Sequence, residues 1–234
     1  MSEWPKMKPS GDSALLVEFE NRIDPEVNRS VRALAQALES DPLPGVLEVL
    51  PAYRTLMVAY DPLRVEYAAV AERIRGCLER AGETDLPRKR TFRLPTVYGG
   101  QNGPDLERVS GILGLTPEEL VREFSETRFL VYFIGFICGL AYLGGLPERL
   151  RVPRLASPRT LVPGGSVGFA GGQANAIATD QPSGFNYIGR TFVVLYDPGS
   201  FPPIPFAAGD EVLFPVVSEQ EALAARGRRA EDFL

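Results

Sequence analysis

The sequence predicts a small α+β domain, residues 1–85, followed by a mainly-β domain, residues 86–234. Three observations carry this reading. The first stretch alternates strand-like apolar runs with two segments of helical spacing. A polar, basic stretch from Glu83 to Arg90 then interrupts the chain. Beyond Val152, short apolar runs alternate with glycine and proline, the texture of a β-barrel or sandwich.

Pro9-Ser10-Gly11-Asp12 reads as a turn and Ala14 to Phe19 as a strand. From Pro25 to Leu38, apolar residues at Val27, Val31, Leu34, Ala35 and Leu38 fall on one helical face. Asp24 is placed to cap this helix, with Pro25 at its first position. Val46 to Leu50 and Thr55 to Tyr60 read as strands. Val65 to Ala81 reads as a second helix, with Gly82 as its C′ residue. The result is β-α-β-β-α. In the second domain, Thr91 to Val97 reads as a strand and Tyr98 to Asp105 as a glycine-rich loop. Leu106 to Leu113 and Thr116 to Phe124 read as short helices, the latter opened by Thr116-Pro117-Glu118-Glu119. Ser166 to Ala170, Thr191 to Tyr196 and Glu211 to Phe214 read as strands, and Ser218 to Leu234 has a helical pattern.

Composition narrows the function. The 234 residues carry 25 Lys and Arg against 30 Asp and Glu, a net charge of −5. A nucleic-acid-binding domain is ordinarily basic, so no nucleic-acid partner is expected. There is no histidine, which excludes Ser-His-Asp and Cys-His triads and imidazole-ligated metal sites. No metal is expected. Cys77 and Cys138 form no CxxC pair and suggest a reduced, cytoplasmic setting. Phe129 to Leu146 holds 18 residues without a charge, the lower edge of a membrane span. Its four glycines and its β-branched residues suit a buried strand ending in a glycine turn, so no membrane partner is expected.

Gly164 to Gly172 is glycine-rich, but no Gly-Lys-Ser/Thr follows, so it is not a P-loop. It does not fit G-x-G-x-x-G either, and hairpin turns account for it. Arginines cluster at Arg149, Arg151, Arg154 and Arg159, with Arg190 further on. A guanidinium fork suits carboxylate or phosphate, and the prolines before Arg154 and Arg159 fix the backbone there. Asp105, Asp180, Asp197 and Asp210 are available carboxylates, but no pair of them is marked as catalytic.

Eleven short motifs occur in one order. They begin with Gly11-Asp12-Ser13-Ala14-Leu15-Leu16-Val17, Pro51-Ala52-Tyr53, Tyr60-Asp61-Pro62 and Gly103-Pro104-Asp105-Leu106. Gly135-Phe136, Tyr142-Leu143-Gly144-Gly145-Leu146, Pro158-Arg159 and Val162-Pro163-Gly164-Gly165-Ser166-Val167 follow. Gln173, Ile188-Gly189-Arg190-Thr191 and Gly209-Asp210 complete the series. This order resembles the family of the 5-oxoprolinase B-type subunit, also called allophanate hydrolase subunit 1 or the Kip-type sporulation kinase inhibitor.

The resemblance implies a cyclophilin-like β-barrel after the small α+β domain. It implies a component of an ATP-dependent amidohydrolase resembling 5-oxoprolinase, which opens 5-oxoproline to glutamate, or allophanate hydrolase, with ATP used through the complex. The implied partners are a sister cyclophilin-like subunit and a third hydrolase subunit. In that reading Arg154, Arg159 and Arg190 bind phosphate or substrate carboxylate. Ser166 and Gln173 give hydrogen bonds, and Asp210 orients the site or a partner. The alternative is a non-catalytic regulatory protein that binds a histidine kinase.

The chain departs from the family pattern at Phe124, Cys138-Gly139-Leu140, Ala174 to Ala178 and Pro182 to Phe185, positions expected in loops. The segment Gln173 to Phe185 separates the two functions. A polar cleft there favours an enzyme subunit. Ile177 and Phe185 on an open surface favour the binding protein.

Overall fold

A computed structural model describes residues 4–80 and 85–234. Contacts divide the chain into two compact units, Met1–Arg88 and Lys89–Leu234.

The first unit is an antiparallel four-stranded sheet with two helices. Its strands are β1 (Lys6–Pro9), β2 (Ala14–Glu18), β3 (Val46–Pro51) and β4 (Thr55–Tyr60), in the order β1-β2-β4-β3. Helices α1 (Pro25–Ser40) and α2 (Tyr67–Arg80) complete it. The Asp24 side chain accepts from the amides of Glu26 and Val27, which satisfies donors the helix leaves free. Val27, Val31, Leu34 and Leu38 are buried, as their spacing predicts, against Leu15, Val17, Leu56 and Val58 of the sheet. Strand β1 is an addition to the expected β-α-β-β-α. The residue Gly82 lies outside the described residues.

The second unit is built on an eight-stranded sheet. Its strands are β5 (Thr91–Arg93), β6 (Thr96–Tyr98), β7 (Phe129–Ile134), β8 (Ala141–Gly144), β10 (Ser166–Ala170), β11 (Gln173–Ala176), β13 (Asn186–Thr191) and β14 (Glu211–Leu213). Strands β9 (Arg159–Val162) and β12 (Gln181–Ser183) form a separate two-stranded ribbon. Helices α3 (Leu106–Leu113), α4 (Pro117–Glu126) and α5 (Glu219–Ala224) lie between strands or follow them. The order β5-β14-β7-β8-β11-β10-β13-β6 begins and ends on one continuous segment, residues 91–98. Beyond β14, Val216 bridges Thr96, and the Val217 amide donates to the Thr96 carbonyl. The sheet therefore curls back on itself, a mixed-sheet barrel with a few helices, consistent with the cyclophilin-like barrel that the motifs imply.

Phe124, one of the positions read as departing from the family pattern, is fully buried in the barrel core. Its ring lies 4.9 Å from Phe129, 5.4 Å from Phe169 and 5.9 Å from Phe214. The expectation that the departures from the family pattern fall in loops therefore fails in part. Phe124 sits in α4, Ala174 to Ala176 in β11, and Pro182-Ser183 in β12.

Four further expectations change. The strand expected over Thr91 to Val97 breaks at Leu94-Pro95, because proline cannot donate to a ladder. Its two halves serve opposite edges of the sheet. The strand expected over Thr191 to Tyr196 is displaced to Asn186–Thr191. Val193 and Leu195 remain buried, but the Val194 amide donates to the Arg228 carbonyl and leaves the ladder. The uncharged stretch Phe129 to Leu146 holds two strands around a turn. Among the described residues no helix is long and apolar enough to cross a membrane. The helical pattern from Ser218 resolves into α5 and a 3₁₀ turn, Ala230–Phe233, separated by Gly227 at φ +80°.

Candidate functional site

The barrel carries a cleft of about 260 Å³ on one face. Three segments shape it: the β7–β8 turn with the start of β8, strand β11, and β12 with the flanks of the β9–β12 ribbon. A small apolar cluster of Leu140, Val162, Ala170, Ile177, Phe185 and Tyr187, distinct from the main barrel core, gives the cleft two of its walls, Leu140 and Phe185.

The floor is polar in an unusual way. Asn175, in β11, is 7% exposed, and Gln181, opening β12, is 5% exposed. Both line the cleft, and among the described residues neither Asn175 Oδ1 nor Gln181 Oε1 has a hydrogen-bond partner. A buried amide oxygen left unpaired costs about 1–3 kcal/mol, so each such atom calls for an explanation. Nearby, the Tyr187 hydroxyl donates to Ser183 Oγ at 2.7 Å, and burial pushes its pKa above the ordinary phenol value. Arg154 lines the rim, with its guanidinium 4.8 Å over the Phe185 ring. It has no carboxylate within ion-pair distance among the described residues. Phe136 completes the rim at φ +66°, a backbone region costly for an aromatic residue.

Of the six residues to which the sequence points, only Arg154 lines this cleft. Arg159, at the start of β9, holds Asp105 by two hydrogen bonds of 2.9 and 2.8 Å. Asp105 also accepts from Arg108 at 3.1 Å and from the Tyr187 amide at 2.8 Å. Burial pushes the Asp105 carboxyl up, but the bonds from Arg159, Tyr187 and Arg108 outweigh it and hold the pKa below the ordinary value. Asp105 is thus a fixed anion rather than a proton carrier. Ser166 and Arg190 face each other across β10 and β13 and hold one turn together. The Ser166 hydroxyl donates to the Pro163 carbonyl at 2.7 Å, and Arg190 Nε donates to the Gly164 carbonyl at 3.1 Å. Asp210 is buried, accepting from Arg90 Nε at 3.1 Å and from the Ala207 amide at 2.8 Å. Gln173 opens β11, half-buried, opposite Ala170.

Asn175 and Gln181 are not marked by sequence reasoning. Asn175 interrupts the apolar run Ala174 to Ile177, and it shares a strand face with Gln173 two residues earlier. That lone polar residue in a buried strand is the one signal the sequence offers.

The glycine-rich segment does not fit a nucleotide. Gly164 to Gly172 folds into a turn, β10 and the tight hairpin into β11. At Gly165, φ is +83°, and a Cβ would lie 2.0 Å from the Thr191 carbonyl, so this backbone is packed against a neighbouring strand. Its amide already donates to the Ile177 carbonyl. No cradle of free amides for phosphate remains at Gly165.

Comparison with known proteins agrees with the motif order. Residues 5–206 match the model of the carboxyltransferase domain, subdomain C and D. The B-type subunit of 5-oxoprolinase from Bacillus subtilis is 36% identical over 221 residues, covering 90% of this chain and 92% of that protein. The crystal structure of the uncharacterized protein PH0987 from Pyrococcus horikoshii is 40% identical, with a TM-score of 0.55 over 92% of this chain and 99% of that one. The crystal structure of TTHA0988 is 32% identical, with a TM-score of 0.77 over 88% of this chain; this chain spans only 40% of that one. Matched along most of its length by the family model and by full-length relatives, the chain belongs to the carboxyltransferase subdomain C and D family, which includes the B-type subunit of 5-oxoprolinase.

Proposed function

We propose that this chain is the B-type subunit of an ATP-dependent amidohydrolase of the 5-oxoprolinase kind, acting on a C–N amide bond. It works with a sister cyclophilin-like subunit and a third hydrolase subunit, in the cytoplasm. Residues 1–85 and 86–234 act as its two domains. One observation carries this reading over that of a histidine-kinase-binding protein. Asn175 and Gln181 to Phe185 line a cleft that sets polar groups among apolar walls, while Ile177 is fully buried and Phe185 is 5% exposed. The open apolar face that the alternative requires of these two residues is not there.

In this reading Arg154 meets the substrate carboxylate. Arg159, Ser166 and Arg190 shape the walls through Asp105 and the Pro163-Gly164 turn. Gln173 lies on the same strand as Asn175, and Asp210 holds the base of β14 through Arg90. ATP would supply the energy that activates the amide carbonyl. It would bind elsewhere in the complex, because the glycine-rich segment fits no phosphate.

The test is 5-oxoproline-dependent ATP hydrolysis by the two partner subunits, with and without this chain. Turnover that requires this chain is the expected result. Co-purification of the three subunits without turnover would transfer the case to a different amide or to a regulatory role.

A further inference from the structure

We propose that the cleft between β11, β12 and the β7–β8 turn binds a small carboxylate whose neighbouring atom carries an N–H. The choice of probes rests on the function proposed above; the cleft itself does not. Three groups specify the ligand. Arg154 offers a guanidinium without an ion-pair partner among the described residues, suited to bidentate recognition of a carboxylate. Its stacking on Phe185 fixes its direction and lowers the entropy lost on binding. Asn175 Oδ1 and Gln181 Oε1 are acceptors, so they call for N–H or O–H donors from the ligand. Both side chains are more than nine-tenths buried, so they are fixed by the fold before the ligand arrives. The apolar walls at Leu140 and Phe185 suit a short carbon frame between the two polar ends. A volume of about 260 Å³ suits a small metabolite.

The unpaired acceptors give the proposal a second consequence. A protein that keeps buried carbonyls unpaired when empty gives up stability to hold them ready. Replacing Gln181 by methionine, close in volume and without the amide, removes that cost. The same change removes an acceptor from the bound state. Melting temperature and affinity therefore move in opposite directions.

Three probes are titrated calorimetrically into the full chain, alone and in its complex with both partner subunits. They are 5-oxoproline, N-methyl-5-oxoproline, which lacks the N–H, and 2-pyrrolidinone, which lacks the carboxylate. The parent is expected to bind, and each altered probe to bind about tenfold or more weakly. Arg154→Met should abolish the difference between the parent and 2-pyrrolidinone. Gln181→Met should reduce the difference between the parent and its N-methyl form, and raise the melting temperature of the empty chain. Equal binding of all three probes, or binding of none to chain or complex, would overturn the proposal. So would a Gln181→Met variant unchanged in both affinity and melting, the outcome if ordered water alone pairs the two oxygens. Turnover by the complex with KM untouched by Arg154→Met and Gln181→Met would remove the cleft and leave the functional reading standing. Discriminating binding without any turnover would do the reverse.

Discussion

Two polar regions of the barrel, Asp105 and the Asn175–Gln181 cleft, treat buried polarity in opposite ways. Around Asp105 two arginines and a backbone amide converge on one carboxylate. In the cleft two buried amide oxygens have no partner among the described residues. Both regions are built from residues that would attract notice as an active site. The difference teaches that a satisfied polar cluster already has a structural account, whereas an unsatisfied one is where a ligand is to be sought. Arginine content alone does not tell the two apart, since Arg159 belongs to the first region and Arg154 to the second.

Four measurements sharpen or break this contrast. The largest effect is expected at Gly103, which lets the chain pass close to Ile188 and sets Asp105 in place. A Cβ there would lie 1.9 Å from the Ile188 carbonyl, a backbone atom that cannot swing away. Gly103→Ala should therefore cost about 3 kcal/mol in urea unfolding. Next comes Asp105→Ala, which strands the Tyr187 amide and frees two partly exposed arginines. The loss should be about 2 kcal/mol, less than for a fully buried pair because the arginines regain water. A third test uses acid. The folded pKa of Asp105 lies below its unfolded value, so its contribution is full above about pH 4–5 and disappears as pH falls through the folded pKa. The stability gap between the wild type and Asp105→Asn, followed by denaturant titration from pH 6 downward, should close in that direction. A gap that widens on acidification would contradict the fixed-anion role. The smallest stability effect belongs to Arg154→Met, within about 0.5 kcal/mol of wild type, because its guanidinium makes no ion pair among the described residues and methionine keeps an apolar contact with the Phe185 ring. A stability loss as large as that of Asp105→Ala would place Arg154 with the architecture after all.

The helices show what local sequence carries well. Asp24 caps α1 and Thr116 forms a full capping box with Glu119, and each signal sits within three residues of what it stabilises. The β10–β11 hairpin is equally legible, because its turn lies inside the motif. Sheet order is not legible. Pro95 marks a weak point in the strand, but nothing local says that its two sides serve two different neighbours. Likewise the run Phe192 to Tyr196 has β-like alternation and buries Val193 and Leu195, yet its amide partner is at Arg228, far along the chain. The cleft is half legible. Arg154 stands out by charge and by its proline. Asn175 and Gln181 do not, because a lone amide has no pattern, and its meaning comes from having no neighbour to bond.

The return of the sheet to its own first segment has a consequence for how this unit is made. Thr91 pairs with Glu211, Thr96 bridges Val216 and Tyr98 pairs with Gly189, so the earliest segment of the barrel finds its partners only late in the chain. A ring of that span meets its loop-closure entropy late, and such distant pairings slow folding. On the ribosome, residues 91–98 emerge with both of their hydrogen-bonding edges open, long before residues 211–217 follow. The first barrel strand is therefore the segment most in need of protection during synthesis, whether by a chaperone or by early docking elsewhere. Joining the two ends of the barrel segment and opening the chain in a surface turn would make these strands sequence neighbours. That rearrangement should speed folding while leaving the cleft unchanged.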